Sequence, residues 1–87
     1  MKIKQGFLVS RVGGDNIVIA TGELSKTFKS MITLNDSGKF IWDLLEKGAD
    51  LDGIVKAMTE EYEVSEEVAK ESAQDFIRTL EKAGALE

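Results

Sequence analysis

Histidine and cysteine are both absent from this chain, so carboxylates, hydroxyls, lysines and one tyrosine are the groups left for chemistry. That removes the imidazole base, the thiol nucleophile, the disulfide framework and the zinc finger together. Sixteen acidic residues supply neighbouring carboxylates at Glu60-Glu61, Glu66-Glu67 and Glu71 with Asp75. General acid–base catalysis needs a carboxylate held in a cleft that shifts its pKa. These pairs fall instead on helix surfaces and helix starts, where solvation and capping account for them. Asp43, Asp50 and Asp52 lack the alternating oxygen ligands and closing bidentate Glu of a calcium loop, and Asp50 reads as a helix cap. Gly13-Gly14 and Thr21-Gly22 stand outside the strand-to-helix frames that cradle phosphates, so they read as turns. Phe40 and Trp42 share helical spacing with Ile41, Leu44 and Leu45, which makes them core rather than a stacking platform. No catalytic residue, cofactor or metal is expected.

The elements that would position a binding surface follow from periodicity. Residues 6–12 and 17–21 are short and β-branched, and the intervening Gly13-Gly14-Asp15-Asn16 tolerates the positive φ of a hairpin turn. A second turn signal at Gly22-Glu23 and a polar stretch lead to residues 28–34, where Phe28, Ser30, Ile32 and Leu34 share one strand face. From Asp36 the period becomes helical. Asn35 is a good N-cap, and the first helix runs to about residue 46 with an apolar arc of roughly 200°, wide enough for burial between two layers. Asp50 caps a second helix with the stripe Leu51, Ile54, Val55, Met58 and Tyr62. Ser65 starts a third helix that Gly84 stops.

At 87 residues, with 43% apolar and 31% charged side chains, the chain is expected to form one domain over residues 1–87. Mean hydropathy is -0.13. No run of about 18 apolar residues occurs, and the first five residues carry no signal-peptide pattern, so the expected location is the cytoplasm. The net charge is -5, divided as +3 through Asn35 and -8 beyond it. A nucleic-acid partner is therefore disfavoured, because phosphates call for clustered Lys and Arg.

What remains is an interaction surface. Three strands are too few for a closed barrel, so at least one sheet edge keeps unpaired amides and carbonyls and can recruit an extended peptide. If the third strand is that edge, the third helix can wall the crevice beside it. On that helix Phe76 and Leu80 lie near the middle of the apolar arc, Ala73 and Ile77 at one margin, Val68 and Ser72 at the other. Small side chains at Ala69, Ser72 and Ala73 permit close approach, either of a peptide or of the first helix.

The segment Met31-Ile32-Thr33-Leu34-Asn35-Asp36-Ser37-Gly38-Lys39-Phe40-Ile41-Trp42-Asp43-Leu44-Leu45, the later Ile54-Val55 and Glu61-Tyr62, and the closing Leu80-Glu81-Lys82-Ala83-Gly84-Ala85-Leu86-Glu87 together resemble the PqqD family. The likeness is good over residues 31–87 and extends to residues 1–30 only in strand pattern. It implies an α+β, winged-helix-like fold of three antiparallel strands followed by three helices. It also implies a noncatalytic peptide chaperone that binds the leader of a ribosomally made precursor peptide. The leader would be presented to a modifying enzyme, commonly a radical S-adenosylmethionine enzyme. Carried over, the peptide would lie along Lys29, Ser30, Met31, Ile32 and Thr33, against Ser72, Ala73, Phe76 and Ile77. Which peptide, and whether the product is a quinone cofactor, are not implied. A monomer or a strand-exchanged dimer is compatible with the open edge. The alternative is a winged-helix DNA-binding regulator, whose third helix would have to present Lys70, Arg78 and Lys82 to phosphates among five acidic neighbours.

Overall fold

The computed structural model describes residues 2–28 and 31–87. Strands β1 (Phe7–Val12) and β2 (Asp15–Ala20) form an antiparallel hairpin in which Val12 faces Asp15 across the turn. Gly13 and Gly14 both have positive φ, 59° and 90°. A two-residue turn of that kind matches the twist of its strands, and side chains beyond Cα disfavour both positions. A one-turn helix, α1 (Leu24–Thr27), follows, then β3 (Ile32–Leu34), which pairs antiparallel with β2 and completes a sheet of order β1-β2-β3.

Three longer helices complete the α+β, winged-helix-like chain: α2 (Asp36–Glu46), α3 (Leu51–Glu61) and α4 (Glu66–Ala83). Each begins on the expected cap. Asn35 accepts from the Gly38 amide at 2.8 Å, Asp50 from the Gly53 amide at 2.8 Å, and Ser65 from the Val68 amide at 3.1 Å. These bonds satisfy amides that have no partner inside the helix. Gly84 ends α4 in the left-handed conformation.

The strand faces alternate cleanly. Asn16, Val18 and Leu34 are buried toward the helices, whereas Leu8, Val12, Ile19 and Thr33 point to the exposed face. Trp42 of α2 is fully buried and meets the ring of Phe7 edge-on at 5.7 Å, while Phe40, also of α2, meets Tyr62 at the end of α3 at 5.5 Å. Thus α2 touches the sheet as well as α3 and α4, which is why its apolar arc is broad. Among the described residues, no helix is long and apolar enough to cross a membrane.

Three local departures from the sequence reading have physical causes. The third strand is shorter than residues 28–34, because Phe28 ends α1 and stacks edge-on against Phe7 at 4.9 Å instead of extending the strand. The polar stretch before it closes into α1 through the Ser25 hydroxyl, which donates to the Gly22 carbonyl at 2.6 Å. The C-terminal tail pairs with the start of the chain. Lys4 N–H donates to the Ala85 carbonyl and Glu87 N–H to the Lys2 carbonyl, both at 2.9 Å, which buries Ile3 and Ala85.

Candidate functional site

Strand β3 is an edge. Its inner flank pairs with β2 in the register Asn16↔Leu34, Ile17↔Thr33 and Val18↔Ile32, and its outer flank has no strand partner among the described residues. An antiparallel edge turns alternate amides and carbonyls outward, where another extended backbone can take them. Helix α4 faces this flank across a crevice. One depression of about 350 Å³ is lined by Asp15, Ile32, Thr33, Leu34, Asn35, Phe76 and Thr79. A second of about 300 Å³ adds Ser37, Gly38, Ile41, Ser72 and Asp75, and shares Asn35, Phe76 and Thr79 with the first. The two adjoin at these shared residues, and together they form a furrow that borders the strand edge and the start of α2.

The walls are positioned by the helix caps and by the stripe of α4. Ala69, Ala73, Ile77 and Leu80 form its buried stripe, and Ser72, Phe76 and Thr79, spaced i, i+4, i+7, form the neighbouring stripe that faces the crevice. Phe76 is half-buried, with its ring against Gly38. The polar groups are simple. Asp75 pairs with Arg78 at 3.1 Å, and Thr79 donates to the Asp75 carbonyl at 3.0 Å. Asp15 and Asp75 are the charged residues of the lining, both acidic. The furrow thus offers an unpaired strand edge, an aromatic ring, apolar walls and a hydroxyl rim, which are the means of holding an extended chain.

Of the residues expected at the site, Ile32, Thr33, Ser72 and Phe76 come together here. Lys29 and Ser30 lie outside the described residues. Met31 is 69% exposed just ahead of β3 and does not line the furrow. Ala73 and Ile77 do not line the furrow: both are buried, and Ile77 lies beside Leu51 of α3. The reason is angular, because the margin of α4 that meets the furrow carries Ser72, whereas the opposite margin packs on α3. Placing Phe76 with Leu80 at the centre of the core was likewise off by part of a turn. Asn35, Gly38, Asp75 and Thr79 were missed as lining residues. Thr79 was within reach, since it falls seven residues after Ser72 on the same stripe. The contribution of Asn35 and Gly38 depends on how α2 docks, which periodicity does not encode.

Comparison with known proteins gives three findings. The family model for Coenzyme PQQ synthesis protein D (PqqD) matches residues 18–86. Among solved structures, TbiB1 in complex with the TbiA(beta) leader peptide is 26% identical, with 100% of this chain and 95% of that chain covered and a TM-score of 0.80. A lasso peptide synthetase B1 complexed with the leader peptide is similar in fold, at 18% identity, 97% and 93% coverage and a TM-score of 0.76. No curated protein sequence gives a significant match.

Proposed function

The chain belongs to the PqqD family, and from that premise we propose that it binds the leader of a ribosomally made precursor peptide as an added strand beside β3 and presents it to a modifying enzyme. The observation that carries the reading is the open flank of β3 facing Phe76 across a furrow, in a chain whose fold matches that of TbiB1 holding a leader peptide. Main-chain bonds to the strand edge supply affinity, and alternate side chains entering the furrow supply selectivity. The role needs no catalytic side chain. Tethering a substrate raises its effective concentration near the enzyme, to about the millimolar range for a short flexible link.

The partner enzyme in this reading is of the radical S-adenosylmethionine class, as the family resemblance implies, and it meets the complex in the cytoplasm, where ribosomal peptides are made. The protein acts as one recognition unit, monomeric or exchanging strands through its open edges. Duplex recognition by α4 gains no support: Glu67, Glu71 and Glu81 are exposed on that helix and oppose phosphate.

The test is a titration of isotope-labelled protein with dodecapeptides selected on it from a random displayed library, followed by amide NMR. The expected shifts concentrate at Ile32, Thr33 and Leu34 and at Ser72, Phe76 and Thr79. Shifts confined to the β1–β2 hairpin would overturn the reading.

A further inference from the structure

Resting on that reading, we propose that Gly38 is a positioning residue for peptide selectivity: by lacking a Cβ it keeps the Phe76 ring against α2, and so keeps the furrow wide enough for a large apolar side chain of the added peptide.

Gly38 lies in the first turn of α2 and is buried. Glycine within a helix is unfavourable relative to alanine, because it surrenders more backbone freedom on folding. Its backbone is not among the positive-φ glycines, so no conformational demand excludes a side chain there. The demand is steric. A Cβ at Gly38 would stand 3.2 Å from Phe76 Cε1, 3.1 Å from Asn35 Oδ1 and 3.7 Å from Leu34 Cβ. The approaches to Phe76 and Asn35 are tighter than ordinary contact, so one of the two must give way by a few tenths of an ångström, while that to Leu34 is ordinary contact. Asn35 is held by its bond to the Gly38 amide, and Leu34 is buried in the sheet. The Phe76 ring is half-buried and borders both depressions, so the furrow is the open direction for it to move. A side chain at position 38 therefore spends furrow volume.

The walls say what that volume receives. Ile32, Leu34, Ile41 and Phe76 are apolar, and a space of about 350 Å³ beside the strand edge suits one aromatic or branched aliphatic side chain. The substrate class is accordingly a leader segment with one such anchor at an inward position of the added strand.

The experiment is a double-mutant cycle on Gly38→Ala and Phe76→Leu, read by fluorescence anisotropy. The probes are two labelled peptides: a library-selected dodecapeptide whose amide shifts fall on β3, and the same peptide with its large apolar anchor replaced by alanine. The wild-type protein is expected to prefer the anchored peptide by about tenfold or more, and Gly38→Ala to reduce that preference to about twofold. In the Phe76→Leu background, where the Cε1 atom of the contact is gone, Gly38→Ala is expected to leave the preference at the value of Phe76→Leu alone. A ratio unchanged by Gly38→Ala would overturn the inference. So would equal weakening of both peptides with a lowered melting temperature, which is the signature of a damaged Asn35 cap. If the library yields no binder with shifts on β3, the strand-addition reading itself fails, and it fails separately from the Gly38 result.

Discussion

Among the described residues the sheet has two edges without a strand partner, and their surroundings differ. Strand β1 is the longer, six residues against three in β3, and so presents more main-chain hydrogen-bonding groups. Its outward side chains Leu8 and Val12 stand 57% and 56% exposed, and Arg11 places a charge beside the edge, a feature that discourages indiscriminate pairing. Strand β3 offers fewer backbone groups, but they open onto a furrow walled by α4. In the proposed reading, length of edge therefore does not decide where a peptide is recognised. A bare edge pairs with any extended chain, whereas an edge beside a helix also examines every second side chain.

The contrast is broken most directly by Phe76→Ala. Truncating a central aromatic in a recognition furrow costs about 2 kcal/mol or more of binding, so the affinity for a library-selected peptide is expected to fall by about thirtyfold or more. Leu8→Ala on β1 is the matched control, and titration calorimetry on both should show a loss only at Phe76. Comparable losses would mean that the two edges are not distinct. Ser72→Trp comes next. The site is exposed, so melting should change little, but the indole would occupy the furrow beside Phe76 and weaken binding by about tenfold. Binding as tight as wild type would remove Ser72 from the site.

Asn35→Ala acts on the junction between β3 and α2. It removes the acceptor of the Gly38 amide, and loss of such a cap costs about 1 kcal/mol. The urea midpoint should drop accordingly, with the Gly38 amide exchanging faster. A midpoint within error of wild type would show that water replaces the cap at no cost.

How much of this was legible beforehand follows from which forces act locally. The three long helices start at Asn35, Asp50 and Ser65 as read from sequence, because capping is settled within four residues. The Gly13-Gly14 turn is equally local. The end of the third strand was not, because Phe28 is drawn toward Phe7, twenty-one residues earlier, by an aromatic contact that period-two alternation cannot foresee. The tail at Ala85 pairs with Lys4 across almost the whole chain, and no short-range signal announces it. At the site, the open strand edge follows from counting strands and Ser72 from a margin of the helical wheel, whereas the wheel assigns Phe76 to the core and only the family resemblance brings it to the peptide. Ala73 and Ile77 lie away from the furrow, because a wheel gives the apolar arc but not which margin meets which neighbour.

The smallest effect expected is at Leu8→Thr, which sharpens the comparison by what it leaves unchanged. Leu8 sits opposite Ile19 on the exposed sheet face, where Ile19 is itself 38% exposed, so the pair shields little area from water. Threonine is β-branched and suits a strand, offsetting part of the lost apolar contact. Cross-strand pairs of this kind contribute about 0.2–1 kcal/mol, which places the expected stability change near 0.5 kcal/mol or below. Peptide affinity should not move, since Leu8 points away from the helices and lies on the strand farthest from β3. A clear loss of affinity in this variant, with melting preserved, would extend the recognition surface across the outer sheet face and make the two edges parts of one site.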